Sequence, residues 1–125
     1  MRARIAIAAA AALIGAAAFA FAGDVAEPEK RCDGNTREIV ECLTARTKQW
    51  KKRLDAAYQQ ALEDAEPKQR EKLIEAQKLW LQYRDANCGY YRLGPGTIAG
   101  IEAGYCMQDM TEARAREFEQ KVERH

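Results

Sequence analysis

The 125-residue sequence carries four cysteines, Cys32, Cys42, Cys88 and Cys106, behind a leader that reads as an export signal. Met1-Arg2-Ala3-Arg4 supplies positive charge, Ile5 to Phe19 an apolar run, and Ala20-Phe21-Ala22 a small-residue cleavage pattern ahead of the first acid, Asp24. The run is mostly alanine and has no basic stop-transfer flank, so residues 1–22 are expected to be a cleaved signal peptide that leaves no membrane span. Lipid attachment needs a cysteine directly after the apolar run; Gly23-Asp24 stands there instead, and the expected location is periplasmic or secreted. An even cysteine count in an exported chain then implies two disulfides. Three pairings are possible. Closeness in sequence favours Cys32 with Cys42 and Cys88 with Cys106. A structural zinc site does not fit the spacing, because there is no C-x2-C pair and the only histidine is His125.

Cleavage after Ala22 leaves 103 residues, one domain near the small end for a self-sufficient core, so covalent staples are useful. Residues 23–34, with Pro28, read as a flexible leader, and residues 35–125 as a helical domain. Asn35 with Glu38 three positions on has the pattern of a capping box. Ile39, Leu43, Trp50, Leu54, Tyr58 and Leu62 then fall on one helical face, predicting a helix from Thr36 to Asp64. Pro67 suits the first turn of a second helix, expected to end near Cys88, with Leu73, Ala76, Trp80, Tyr83 and Asn87 as its stripe and Ile74, Leu81 and Cys88 beside it. The short connection predicts that these two helices are antiparallel neighbours. Gly94-Pro95-Gly96 marks a loop spanning Gly89 to Thr97, after which Ile98, Ile101, Tyr105, Met110, Phe118 and Val122 continue a helical pattern. Asp109 with Glu112 could cap a fresh start, splitting this last helix near Gln108. The expected fold is all-α, a small bundle of three helices, or four if the split occurs, stapled by two disulfides.

The residue inventory argues against an enzyme. There is no serine, and the single histidine is terminal, so no nucleophile has a base beside it. Asp and Glu are interleaved with Lys and Arg, as on a solvated helix surface. No haem-attachment motif, metal-ligand spacing or phosphate-cradling glycine loop occurs, and no cofactor or metal is expected. After cleavage 18 Lys and Arg face 19 Asp and Glu, a formal charge of −1 without the basic footprint of a nucleic-acid binder. Binding of another protein is left. The expected contact surface is the loop between Cys88 and Cys106, where Tyr90, Tyr91, Arg92 and Leu93 offer residue types among which Tyr and Arg are frequent in binding hot spots.

The run Ala76-Gln77-Lys78-Leu79-Trp80-Leu81-Gln82-Tyr83-Arg84-Asp85-Ala86-Asn87-Cys88 resembles the A-Q-x-x-W-x-x-[FY]-R-D-x-x-C signature of the LprI-like lysozyme inhibitor family of bacterial exported proteins. Cys32, Cys42, Leu54, Tyr58 and Leu62 upstream, and Cys106, Thr111 and Arg114 downstream, are similar to further family positions in the same order. The family's usual Gly-Gly-Ser loop is here Gly94-Pro95-Gly96-Thr97. The resemblance implies an all-helical extracytoplasmic protein that binds lysozyme and protects peptidoglycan. A basic side chain such as Arg92 or Lys78 placed near the two cleft carboxylates, or occlusion by the tethered loop, would achieve this. The alternative is a structural or interaction protein of the cell envelope with another partner. For the family motif, Gln77, Trp80, Tyr83, Arg84 and Asp85, a structural role is expected ahead of partner contact, with Trp80 packed inward and Arg84 or Asp85 hydrogen-bonded to Gln77 or to a neighbouring helix end.

Overall fold

The computed structural model describes residues 31–124; the signal peptide expected over 1–22, and the leader before residue 31, lie outside the described residues. Three helices follow in order, α1 Thr36–Asp64, α2 Pro67–Arg92 and α3 Ile98–Val122, with no strand among the described residues. Both disulfides form as sequence proximity suggests, Cys32 with Cys42 and Cys88 with Cys106, at Cα–Cα separations of 5.7 and 5.5 Å.

Helix α1 starts where its capping residues put it. The Asn35 side chain accepts from the Glu38 amide at 3.1 Å, and the Asn35 amide donates to the Glu38 carboxylate at 2.9 Å. Both satisfy first-turn donors that the helix itself cannot. At the other end α1 has no basic residue in its last turn; Arg70 of α2 reaches back instead, donating to the carbonyls of Leu62 at 2.9 Å and Ala65 at 3.4 Å. A cation thereby meets the negative end of the helix dipole, and the α1–α2 corner is fixed.

Helices α1 and α2 are joined by a short corner but share no extensive interface, contrary to the neighbour relation the linker length predicts. Each packs on α3. The reason is on the inward face of α3, which is made mostly of small residues, Ala99, Ala103, Thr111 and Ala115, with Gln108 and Phe118 as its larger buried members. Small side chains let α1 come close: a Cβ added at Gly104 would stand 2.9 Å from Leu43 Cδ1, so the contact needs glycine. Trp50, Leu54 and Ala57 of α1 close around Ala115 and Phe118, with Tyr58 edge-on to Phe118 at 5.7 Å and Leu73 and Trp80 of α2 at the margin. Ile98 and Tyr105, two of the residues that carry the helical pattern of α3, are exposed. Nor does α3 split near Gln108; it runs unbroken, and Asp109 is an interior helical residue.

Candidate functional site

The α2–α3 interface determines which motif residues are structural and which face outward. Gln77 and Cys88 are buried on α2, and Trp80, Arg84 and Asn87 are half-buried beside them. Opposite, Arg114 of α3 donates through Nε to Gln77 Oε1 at 3.1 Å and through Nη1 to Glu117 at 2.7 Å. Its guanidinium lies 4.5 Å from the Phe118 ring centroid and 5.7 Å from that of Trp80, while Arg84 covers Trp80 at 5.2 Å. Burial pushes the Glu117 carboxyl up, but hydrogen bonds from Lys121 and Arg114 more than reverse this and hold it below the ordinary glutamate value. Gln77 and Trp80 thus clamp α2 to Arg114 of α3, with Arg84 laid over Trp80. The partner of Gln77 is Arg114, not Arg84 or Asp85, which bond each other at 2.8 Å with Arg84 largely covered and Asp85 facing water.

Tyr83 is not part of that clamp. It is 62% exposed, and Ala76, Ile74 and Leu81 are exposed with it, so the stripe read from apolar periodicity on α2 is in large part its outer face. The physical reason is that, among the described residues, α2 packs chiefly on α3, which presents an arginine that selects Gln77 over an apolar residue for the inner position.

One turn further along, the Cys88–Cys106 bridge ties α2 to α3. Met110 Sδ lies 3.8 Å from each cysteine sulfur, and Asn87 Nδ2 lies 3.4 Å from the same thioether. Beyond the bridge α2 does not end near Cys88 but continues for another turn through Arg92. Tyr90, Tyr91 and Arg92 are therefore helical, and the true loop is the shorter segment from Leu93 to Thr97. The Leu93 amide donates to Gly89 O at 3.2 Å and the Gly94 amide to Tyr91 O at 3.1 Å, and Gly96 turns the chain at φ +72°, where other residues would be strained. Tyr90 is 75% and Leu93 89% exposed, with Ile98 and Arg92 also facing water.

Two adjoining concavities open at this end. One, of about 430 Å³, is lined by Tyr90, Tyr91, Leu93, Gly94, Pro95 and Glu102. The other, of about 360 Å³, is lined by Asn87, Tyr91, Glu102, Tyr105, Cys106, Asp109 and Met110. Sharing Tyr91 and Glu102, they make one groove of tyrosines and carboxylates along the bridge. Glu102, Tyr105 and Asp109 come from one face of α3, at spacings of three and four residues. Neither carboxylate has an ion-pair partner among the described residues. Burial, and then the nearby charge of Glu112, raise the Asp109 carboxyl above its ordinary value of 3.8. A groove of this composition suits a cationic side chain, which tyrosine faces and carboxylates both attract. With every cysteine in a disulfide, no thiolate is left to hold a metal, and no cluster of three or more His, Cys, Asp or Glu occurs among the described residues.

The family model described as lysozyme inhibitor LprI matches residues 29–118. The chain belongs to this family. No curated protein and no solved structure matches it. The matched range spans both disulfides, the Gln77–Trp80–Arg84–Arg114 clamp and the groove. Of the LprI motif positions on α2, Gln77, Trp80 and Arg84 are accounted for by the clamp and Cys88 by the bridge, while Tyr83 and Asp85 face water. Of the four residues expected in the contact loop, Tyr90, Tyr91 and Arg92 stand on the last turn of α2 and Leu93 begins the loop. Sequence reasoning missed Glu102, Tyr105 and Asp109 as members of the same site. Their shared face was visible in the spacing, but their closeness to Tyr91 depends on the bridge.

Proposed function

We propose that the protein acts outside the cytosol as a lysozyme inhibitor and that the bridged end of α2 and α3 is its contact surface. Membership of an inhibitor family supports the choice of partner. The observation that carries the choice of surface is the combination of exposed Tyr90, Leu93 and Ile98 with the tyrosine–carboxylate groove, all on a hairpin end clamped by Cys88–Cys106. Large apolar side chains held out in water on a rigid frame lose little freedom on binding, which favours association. The tip from Leu93 to Thr97 is the part that enters the substrate cleft, and Arg92 at its base stands ready for the cleft's catalytic carboxylates. Lys78, more than three turns back along α2, is too far from the tip to share that role. Glu102, Asp109 and the three tyrosines of the groove, Tyr90, Tyr91 and Tyr105, then grip a basic side chain on the rim of the enzyme.

A turbidity assay of bacterial lysis tests this. The protein, purified as exported by an expressing cell, slows lysis at equimolar concentration with lysozyme. Undiminished lysis at several-fold molar excess would contradict the choice of partner, and a pull-down from envelope extract that recovers a different protein would supply the replacement.

A further inference from the structure

The outer face of α2 carries a second apolar surface, which meets the groove at Tyr90 and Leu93. Ala76, Leu79, Tyr83, Ala86, Tyr90 and Leu93 follow one another at spacings of three, four, three, four and three residues, and all six are exposed. That alternation is a heptad seam, the pattern of a helix that packs along another helix. No part of the described chain covers it, because α2 meets α3 through Gln77, Trp80, Arg84 and Cys88 on another side.

We propose that this seam pairs with the same seam of a second copy, antiparallel, about a two-fold axis between Tyr83 and Ala86. The sequence is self-complementary in that arrangement alone. Ala76 meets Leu93 of the second copy, Tyr83 meets its Ala86, and Leu79 meets its Tyr90. Small thus faces large at two of the three layers, as close helix packing requires. In a parallel pair Tyr83 would meet Tyr83 and Ala86 would meet Ala86, crowding one layer and leaving a gap at the next. The charges agree with self-pairing. Glu75 at one end of the seam is bonded to Lys72 at 2.7 Å, and Gln82, Asn87 and Gly89, which flank its middle, carry no charge.

The area is sufficient for a dimer of modest affinity. Leu79 is 57% exposed, and with Tyr83, Tyr90 and Leu93 it offers on the order of 500 Å² per copy, given about 150–250 Å² for a whole aromatic side chain. Two copies together remove roughly 1,000 Å², near the lower bound for a specific interface. Tyr90 and Leu93 belong to both surfaces, so each copy in the dimer has the edge of its groove covered, and self-association competes with partner binding.

Sedimentation equilibrium of the exported protein alone, from about 5 to 500 µM, tests the pairing without reference to lysozyme. The expected result is a mass rising towards twice the monomer, with Tyr83→Glu and Ala86→Glu each weakening association at least tenfold while keeping the helical circular dichroism spectrum. Lys52→Glu on the exposed face of α1 leaves it unchanged. A nitroxide on Glu71→Cys reads the orientation: about 40 Å between copies for the antiparallel pair, from 1.5 Å of rise per residue, and under about 20 Å for a parallel one. A single monomeric species throughout, association that survives Ala86→Glu, or the short distance would each overturn the proposal.

Discussion

At the scale of single residues, the family motif divides into two physically different sets, and substitution separates them. Arg114→Ala removes the bond to buried Gln77 and the cation that lies over Phe118 and Trp80, and is expected to destabilise the fold by about 2–3 kcal/mol in urea denaturation. Arg114→Lys does not restore this, because an ammonium cannot stack and bond in the same plane. Tyr83→Ala, on the outer face, stays within about 0.5 kcal/mol of the parent. Equal losses for the two would contradict the division. Asp109 belongs to the groove, and its raised pKa gives a sign to its pH dependence. Its charge is disfavoured by the fold, so its contribution to stability falls as pH rises through its folded pKa, and Asp109→Asn is neutral or slightly stabilising. Partner binding runs the other way. A cation needs the ionised carboxylate, so affinity falls as pH is lowered towards the raised pKa, at a higher pH than an ordinary aspartate would require, and calorimetric titration with Asp109→Asn shows that part of the pH dependence lost.

At the scale of helices, the ends were more legible in the sequence than the faces. Asn35 with Glu38, and Pro67, fixed the starts of α1 and α2 because capping is local chemistry that needs no partner element. Asn35→Ala is accordingly expected to cost about 1 kcal/mol in thermal or denaturant melts. The inner stripe of α1 was also readable, since α1 buries large side chains, Leu43, Trp50 and Leu54. For α2 and α3 the apolar pattern misled in opposite ways. The wet-looking Gln77 is inside because Arg114 meets it, and large Tyr83, Ile98 and Tyr105 are outside because the central helix packs through alanines and a glycine that carry little hydropathy signal. Gly104→Val tests that reading. The new side chain runs into Leu43, and a loss of about 1–3 kcal/mol is expected despite the better helix propensity. The groove was half legible: the loop tyrosines were evident from the cysteine frame, but Glu102 and Asp109 join them only once α3 is known to continue unbroken past Gln108.

At the scale of the whole molecule, a chain of this size holds one central helix between two others and adds two covalent bridges, one at the start of α1 and one between α2 and α3. The Cys88–Cys106 bridge closes a loop with a sequence separation of 18, for which about 2–4 kcal/mol of stabilisation is expected. Changing both cysteines to serine should lower stability by that amount and, by freeing the hairpin end, weaken lysozyme binding further than a variant matched for stability at the core, such as Arg114→Ala. The central claim, that the bridged end of α2 and α3 is where lysozyme binds, is tested most directly by titrating lysozyme into the isotope-labelled protein and following backbone amide resonances. Shifts concentrated between Gly89 and Met110, saturating at one lysozyme per chain, are expected; an unchanged spectrum, or shifts confined to α1, would contradict it.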